Sequence, residues 1–412
     1  MLRQASELVK NGITNCIVVN LLHGILAKPE EMQMKVLIHA LGAHVGGGMR
    51  HLSNLLPHLG AADPSTEYVI LLRDGFGPMD LPGNVRLEHT SFRNASGWTA
   101  RLFNDIVQLP KRLRKERFSA VVSLTNAGPI WSTVPHVLFQ RNALYYWPDY
   151  TSRIGWKERM EVALRRQLAM ASMMRSALVV TPSIAMTNMI REVCPAVAER
   201  VDIRVLYHGF EPDGFRQPME DKFARSLNAY SGTKLIYPAM PGMHKGFTEL
   251  FSALLELQKR NLRFRLFITF DENDWADGVL ALKRQARQLG LAHSVEFIGR
   301  VPQDQMGGVY RAADLMVYPS LCESFGFGLL EAMGHGLPIV AADTAVSREI
   351  CGQAALYFSP RDPVEGAVAI QHAIQPKISE ALREAASARM SSFDWSWKRY
   401  GRELAALIKS VA

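Results

Sequence analysis

Several features are scarce or missing in this chain of 412 residues, and each absence argues against a class of protein or a kind of site. Its four cysteines include no C-x-x-C pair, which argues against a disulfide scaffold or a cysteine-rich zinc site and fits a reducing cytosol. No apolar run reaches about 18 residues, so no transmembrane helix is expected. No G-x-G-x-x-G fingerprint follows the first confident strand, and no acidic ribose ligand lies where a dinucleotide-binding domain would place one.

Two further classes, nucleic-acid-binding proteins and proteins that need a metal or another cofactor, are disfavoured by what the chain does not contain. The net charge of +8 is moderate, and no basic array with interleaved aromatics or DNA-reading motif accompanies it, so no nucleic-acid partner is expected. No D-x-D pair lies in a suitable loop, so neither a metal nor another cofactor is expected. With 48% hydrophobic residues, the chain is long enough for two globular domains.

The most informative stretch that is present is YPSLCESFGFGLLEAMGHGLP, at residues 318–338. The apolar run that leads into it predicts a short buried strand, and LLEAM predicts a helix that ends at the following glycines and proline. A tight glycine loop joins the two. The free N–H groups and positive dipole end of the helix therefore point at whatever the loop holds, which favours a phosphate.

Two carboxylates in this stretch, Glu323 and Glu331, need a separate explanation because an anion site normally avoids them. Eight helical residues span about 12 Å, so the two side chains touch different parts of one elongated ligand. Glu331 on the helix can accept hydrogen bonds from a ribose diol, and Glu323 in the loop can meet a second polyol beyond the phosphates. Together they indicate a nucleotide-sugar. The alternative is a solvated loop charge and an ordinary helix-surface glutamate.

Strand and helix patterns alternate in both halves of the chain, which predicts an α/β protein with two doubly wound parallel sheets. We expect a first domain at residues 35–212 and a second at 213–394, joined by a linker rich in Pro, Gly and Asp. A final helix within 395–412 should pack back on the first domain. Residues 1–34 are an extension of uncertain status: an extra helix, a membrane-surface anchor or an upstream extension from a misplaced start.

Two segments are basic, at 111–118 and 156–176. The second predicts an amphipathic helix with Met, Leu and Ala on one side. It is either a solvated helix face or, with Trp156, a contact for anionic lipid headgroups. The protein is accordingly expected in the cytoplasm, free or peripheral on the inner face of the cytoplasmic membrane. The basic residues of this helix are Lys157, Arg159, Arg165 and Arg166.

With these parts in order, the chain resembles the retaining GT-B glycosyltransferases, in particular glycosyltransferase family 4, also called glycosyl transferases group 1. The resemblance covers about residues 35–412 and is most specific in the second half. Glu323 and Glu331 form the family's E-x7-E motif within PSLCESFGFGLLEAMGHGLPIVA. The segments VLYHGFEPDGF, GGGMRHL and HKGFTEL resemble its interdomain linker, N-terminal glycine loop and Lys-Gly helix start.

The resemblance implies two Rossmann-like domains that face a cleft, and transfer of a sugar from a nucleotide-sugar to an acceptor hydroxyl with retention at the anomeric carbon. It implies that Lys245 neutralises developing phosphate charge, that Glu323 contacts the transferred sugar, and that Glu331 binds the ribose. The other donor-binding positions that it implies are Gly47, Gly48, His244, Ser324, Phe325, Gly326, Phe327 and Gly328.

The sequence departs from the family at two places. Many members carry an Arg shortly before the Lys, whereas YPAMPGMHKG has His244 and no arginine, and Arg300 is a distant replacement. The family's acceptor-side histidine is also absent: FQRNALYYW puts Asn142 in its place with Arg141 beside it, so both are acceptor-side candidates.

Family usage favours a saccharide or lipid-linked acceptor in cell-surface polysaccharide or glycolipid synthesis. The competing hypotheses are another GT-B activity, such as an epimerase or phosphorylase, and a catalytically silent subunit that binds sugar nucleotides.

Overall fold

The computed structural model of the protein describes residues 34–42, 47–73, 79–90 and 104–412. The three interpretations of the N-terminal extension fall on residues outside these ranges, as does the first part of a helix that the pattern predicts over 99–117. Within the described residues, no helix is both long and apolar enough to cross a bilayer.

The N-terminal domain is built on a sheet of seven parallel strands in the order β3-β2-β1-β4-β5-β6-β7. The strands are β1 (Met34–His39), β2 (Thr66–Arg73), β3 (Val85–Thr90), β4 (Ala120–Ser123), β5 (His136–Phe139), β6 (Leu178–Thr181) and β7 (Ile203–Val205). The α-helices are α1 (Gly47–Ala62), α2 (Leu109–Lys115), α3 (Trp156–Met173), α4 (Ile184–Val193) and α5 (Pro195–Arg200). A π-helix (Asn104–Gln108) precedes α2, and 3₁₀ turns occupy Ala143–Tyr146 and Pro148–Arg153.

The C-terminal domain is built on a sheet of six parallel strands in the order β10-β9-β8-β11-β12-β13. The strands are β8 (Thr233–Tyr237), β9 (Phe264–Ile268), β10 (Val295–Phe297), β11 (Leu315–Tyr318), β12 (Ile339–Ala342) and β13 (Ala355–Phe358). The α-helices that follow the linker are α6 (Asp221–Asn228), α7 (Phe247–Lys259), α8 (Glu272–Gln288), α9 (Met306–Ala312), α10 (Phe327–Gly334), α11 (Ala345–Cys351), α12 (Pro363–Ala373), α13 (Pro376–Ser391) and α14 (Trp397–Lys409). 3₁₀ turns occupy Pro212–Phe215, Met243–Lys245 and Gln303–Gln305.

Five inner strands, β4, β5, β6, β11 and β12, are buried along their whole length. Continuous burial is expected when helices cover both faces of a parallel sheet, so such strands consist of apolar runs without alternation. In each sheet the strand order reverses once, between β1 and β4 and between β8 and β11. Ligands of doubly wound sheets bind outside the carboxyl ends of the strands at such a reversal.

The last helix, α14, belongs by position to the end of the chain and by packing to the N-terminal domain. Ser396 caps it by accepting a hydrogen bond from the Arg399 amide. Its apolar side, with Trp397, Tyr400 and Leu404, lies in the same buried cluster as the first strand of the N-terminal sheet. The helix packs mainly against α1. The polypeptide therefore crosses between the domains twice, after β7 and again before α14.

Direct hydrogen bonds also join the domains at the start of α4. The two carboxylate oxygens of Glu349 accept from the amides of Ile184 and Ala185, each at 2.7 Å. The hydroxyl of Ser183 donates to the carbonyl of Ser324 at 2.7 Å. Because Glu349 occupies the N-terminus of a helix, its charge also meets the positive end of the helix dipole. This contact fixes the loop of the E-x7-E stretch against the N-terminal domain.

One local prediction differs from the structure in detail. Where one helix is predicted over 99–117, the described part is helical from Asn104 but starts as a π-helix, and α2 begins at Leu109, where Pro110, which lacks an N–H group, suits a first helical turn. In α3 the apolar side is open at its N-terminal end: Trp156, Met160 and Leu164 are exposed by 68%, 66% and 45%. Only the C-terminal end of this helix packs into the domain, through Ala169, Ser172 and Met173.

Candidate functional site

A cavity of about 390 Å³ opens at the carboxyl ends of the C-terminal strands and faces the N-terminal domain. The loops after β8, β9 and β10 and one side of α10 form most of its wall. Two side chains of the other domain, His51 of α1 and Trp397 of α14, complete it. The residues from the C-terminal domain include Pro238, Thr269, Arg300, Gln303, Tyr310, Phe327, Gly328 and Glu331.

Lys245 and Glu323, which are not among the residues that line this cavity, form a shielded ion pair with 2.6 Å between Nζ and Oε1. Their side chains are only 14% and 17% exposed. Lys245 follows β8 and Glu323 follows β11, so they lie at the carboxyl ends of the two strands where the sheet order reverses. The topology thus brings together two residues that are 78 positions apart in the sequence.

The pair is held by a second set of contacts that sequence reasoning did not identify. Ser320 donates from its hydroxyl to the same Glu323 oxygen at 2.6 Å. Tyr237 donates to the Lys245 carbonyl at 2.9 Å, which fixes the 3₁₀ turn that carries the lysine. The backbone oxygen of His244 accepts from the Leu321 amide at 2.8 Å, so the lysine turn and the glutamate loop are directly joined.

The electrostatics of this pair keep Glu323 ionised. Burial by itself would raise the pKa of the Glu323 carboxyl, but the charge of Lys245 and hydrogen bonds from Lys245 and Ser320 outweigh it and lower the pKa. Burial and the neighbouring Lys245 charge lower the pKa of His244 to about 4, so this imidazole is neutral at pH 7. The charge on the lysine turn therefore comes from Lys245 alone, and Glu323 balances it.

The backbone of both loops depends on glycine at one position each. Gly246, after the lysine, has φ of +66°, and a Cβ there would lie 2.1 Å from the carbonyl oxygen of Pro319. Gly326 has φ of +84° and is the N-cap of α10. Left-handed backbone at these two points lets the loops approach each other and starts the helix abruptly. Phe327 and Gly328, in the first turn of α10, line the cavity.

Glu331 lies one turn further along α10 and is 6% exposed, at the cavity wall. Its Oε2 accepts from the hydroxyl of Tyr310 at 2.7 Å, and its Oε1 accepts from the side-chain amide of Gln303 at 3.3 Å. Tyr310 comes from α9 and Gln303 from the turn before it. Both orient the carboxylate, and neither was identified from the sequence, because a tyrosine on a helix gives no local signal of its partner.

The remaining predicted donor residues are placed as follows. Phe325 is buried and packs on the linker, with its ring 5.0 Å from that of His208. Ser324 faces the N-terminal domain through its backbone carbonyl. Gly47 and Gly48 were predicted in a loop, but α1 already begins at Gly47, so they form its first turn. Arg300 is exposed at the cavity rim, away from the Lys245 turn.

Arg141 and Asn142 lie just past the carboxyl end of β5. Both backbone amides donate to the side-chain oxygen of Asn126, at 2.6 and 2.8 Å. The Asn142 side chain accepts from the Leu144 amide and caps the following 3₁₀ turn, so its oxygen has a structural partner. Burial lowers the pKa of the Arg141 guanidinium, and in the described part of the chain it forms no ion pair. Neither residue lines the cavity.

No group of three or more His, Cys, Asp or Glu side chains within the described residues is arranged to hold a metal ion. The site thus consists of one shielded Lys–Glu pair, a helix N-terminus, and a buried carboxylate one helical turn away. This arrangement suits a ligand with anionic groups in its middle and hydroxyl groups at both ends. The N–H donors would bind the middle of such a ligand, and the carboxylates would accept hydrogen bonds from the hydroxyl groups at its ends.

The fold and the position of the site define the GT-B class of two-domain proteins, as predicted. Over 92% of this chain, the structure matches that of sucrose-phosphate synthase from Thermosynechococcus elongatus, with a TM-score of 0.70, 16% sequence identity and 98% of that chain covered. Over 92% it also matches Anabaena HepE in complex with UDP-glucose, with a TM-score of 0.67, 19% identity and 100% of that chain covered. Identities this low show the fold alone.

A family match comes from the sequence of the second domain. Residues 234–375 match the model described as Glycosyl transferases group 1, so the predicted resemblance to this group is confirmed for that part of the chain. A curated relative, D-inositol 3-phosphate glycosyltransferase of Corynebacterium jeikeium, is 30% identical over 206 residues, which are 47% of this chain and 48% of the relative. The chain spans less than half the length of the first curated relatives that it matches.

Proposed function

We propose that the protein is a glycosyltransferase that moves a sugar from a nucleotide-sugar to an acceptor hydroxyl with retention at the anomeric carbon. The observation that carries the proposal is the placement of Lys245, Glu323 and the α10 N-terminus around one reversal point of the sheet, with Glu331 a helical turn away. A nucleoside diphosphate sugar fits this order of charges from end to end.

In this proposal each group has a distinct role. Glu331, fixed by Tyr310, accepts hydrogen bonds from the ribose diol, and the α10 amides bind the phosphates. Lys245 stabilises the negative charge that develops on the departing diphosphate, because a fixed cation in a shielded site needs no reorganisation during the reaction. Glu323 accepts from hydroxyls of the transferred sugar and holds the lysine in place. The donor phosphate takes the proton of the acceptor hydroxyl, so no carboxylate nucleophile is needed.

The similar solved structures indicate which class of donor to test. Anabaena HepE was solved with UDP, UDP-glucose, and UDP with glucose, which supports a nucleotide-sugar donor here as well. We propose a nucleoside diphosphate sugar as the donor class. A thermal-shift series with UDP, GDP, ADP and their glucose or mannose derivatives tests it, because a ligand that binds the native state raises the melting temperature. A shift with one base identifies the donor, and no shift with any of them contradicts the proposal.

Turnover then separates this activity from the alternatives. With a labelled donor and a saccharide or lipid-linked acceptor fraction, a glycosyltransferase forms a larger labelled product and releases the nucleoside diphosphate. Conversion of the donor alone would indicate an epimerase, and phosphate-dependent release of a sugar phosphate would indicate a phosphorylase. Donor binding without any turnover would support a silent subunit.

We further propose that α3 brings the protein to an anionic membrane surface, where a lipid-linked or cell-surface polysaccharide acceptor would be found. Trp156, Met160 and Leu164 are four residues apart, so they share one exposed face of the helix. Lys157 and Arg165 lie next to this face in the sequence. Apolar side chains that insert at the headgroup boundary, with cations beside them, are the usual pattern of a peripheral helix.

Vesicle sedimentation tests this contact. Binding to vesicles that contain phosphatidylglycerol, and none to pure phosphatidylcholine, is expected for the wild type and should be lost when Trp156, Met160 and Leu164 are all replaced by Ser. The matched control is Leu280→Ser, since Leu280 is 51% exposed on α8 of the other domain. Equal binding of the triple variant and the control would contradict the membrane contact.

A further inference from the structure

His51 is a buried polar residue of α1 for which neither the fold nor the proposed reaction gives a reason. It is 1% exposed, and its ring lies in a cluster of rings at the junction of the two domains. The ring centroids of His208, Tyr400 and Trp397 are 4.9, 5.2 and 5.4 Å away. His51 also belongs to the wall of the cavity, opposite the residues of the C-terminal domain.

The protonation of His51 follows from its neighbours. Its Nε2 lies 3.3 Å from the hydroxyl oxygen of Tyr400. Burial raises the pKa of the Tyr400 phenol, so the hydroxyl keeps its proton and can donate a hydrogen bond to Nε2. Burial, followed by the charge of Arg141 and by His208, lowers the pKa of His51 well below its usual value, so the imidazole is neutral. A neutral ring that accepts at Nε2 carries its proton on Nδ1.

That Nδ1–H group has no hydrogen-bond partner among the described residues, although it is buried. Native proteins rarely leave a buried donor unpaired, and such groups call for a specific explanation. The rings of His208 and Trp397 packed around His51 contribute no oxygen acceptor at this point. A ligand in the adjoining cavity can supply one.

The position of His51 indicates which part of a ligand it would reach. His208 stacks on the ring of Phe327 with centroids 4.7 Å apart, so only one ring separates His51 from the start of α10. Glu331, the predicted ribose ligand, lies a full helical turn further along α10. In addition, α1 begins at Gly47, one turn before His51. The positive end of a helix and a neutral donor favour a phosphate, and the one distal to the ribose.

We propose that His51 donates a hydrogen bond from Nδ1 to the sugar-bearing phosphate of the donor, and that Tyr400 fixes the tautomer that makes this possible. The inference rests on the proposed binding of a nucleoside diphosphate sugar and adds a phosphate ligand from the N-terminal domain. Lys245 is paired with Glu323, which offsets part of its charge. A second hydrogen-bond donor at the phosphate would therefore strengthen phosphate binding. Because Tyr400 belongs to α14, this helix takes part in donor binding through the contact of Tyr400 with His51.

The test compares a nucleoside diphosphate with the matching monophosphate, which lacks the distal phosphate, by calorimetric titration of the full-length protein. His51→Leu removes the donor at similar volume and should weaken diphosphate binding about tenfold, as expected for loss of a hydrogen bond to a charged group. Monophosphate binding should change less than twofold. His51→Asn, whose amide nitrogen takes the place of Nδ1, should keep diphosphate affinity within about threefold of the wild type.

Tyr400→Phe keeps the packing of the ring and removes only the hydroxyl that selects the tautomer. It should lower diphosphate affinity about threefold and leave the monophosphate unaffected, and it gives the same comparison if His51→Leu does not fold. If diphosphate binding is unchanged in His51→Leu and in Tyr400→Phe, or if both nucleotides lose affinity equally, the role of His51 is overturned. The proposed function is not affected by either result. If the wild type binds no nucleoside diphosphate, the proposed function fails and this inference fails with it.

Discussion

Replacing Lys245 by Met removes the cation that contacts Glu323 and leaves the rest of the pocket in place. Glu323 keeps its hydrogen bond from Ser320 but becomes a shielded, unpaired carboxylate. Removing one partner of a buried pair typically destabilises a protein by about 3–5 kcal/mol. At roughly 2–4 °C per kcal/mol for a domain of this size, we expect the melting temperature of the variant to fall by about 10 °C at pH 7.5.

Adding Glu323→Gln to this variant should restore most of the loss, because no charge is then left without a partner. The pH dependence gives a second check. In the wild type the folded-state pKa of Glu323 is lowered, so its contribution to stability is present above the unfolded-state pKa of about 4.3 and is lost as the pH falls through the folded-state value. In Lys245→Met only burial and weaker contacts act on Glu323, which raises its pKa.

The difference in stability between Lys245→Met and the wild type should therefore shrink as the pH falls from 7.5 towards 5, because protonation discharges Glu323 in the variant. Melting curves of the wild type, both single variants and the double variant at the two pH values provide the complete cycle. The reasoning is refuted if the two substitutions are additive, or if Lys245→Met loses more stability relative to the wild type at pH 5 than at pH 7.5.

Three further predictions concern the site and its supports. With an active donor and acceptor, Glu331→Ala should raise the donor KM about tenfold or more with a smaller effect on kcat, and Tyr310→Phe should do the same about threefold; a change confined to kcat would contradict ribose binding. Glu349→Gln should lower the melting temperature by several degrees through the loss of a charge at a helix N-terminus, and an unchanged value would show that this contact contributes nothing. Gly246→Ala should abolish turnover or folding, since its Cβ has no space beside the carbonyl of Pro319, and wild-type steady-state rates would contradict this.

Much of the fold follows from the sequence because parallel strands covered on both faces are short apolar runs, and these are visible without any tertiary information. One strand that carries the site, β11, is the short buried strand that the apolar run before the E-x7-E stretch predicts. The order of the strands in the sheet could not be obtained this way, because it depends on which crossover connects which neighbours. Strand order is nevertheless what places Lys245 next to Glu323.

In the candidate site, sequence reasoning found the charged ends and missed the groups that orient them. Glu323 and Glu331 stand out because carboxylates beside a glycine loop are unusual. Ser320, Tyr310 and Gln303 do not stand out, since nothing local distinguishes a hydroxyl or amide that orients a carboxylate from one on a surface.

For the apolar side of α3, the sequence left two interpretations open, a solvated helix face and a lipid contact, for a related reason. A helical period shows which side chains share a face, but it does not show whether another part of the fold covers that face. The period therefore placed Trp156, Met160 and Leu164 on one face and could not show that this face is open.

The packing of α14 has a consequence for the order in which the protein assembles. The buried cluster of the N-terminal domain includes Trp397, Tyr400, Leu404 and Ile408, which are synthesised only after the whole C-terminal sheet. A nascent chain that has completed β7 still lacks one wall of this core, so the N-terminal domain closes only after the C-terminal domain has been made. The intervening C-terminal domain can fold on its own strands meanwhile, and loss of the final helix would leave the first domain permanently open to chaperones and proteases.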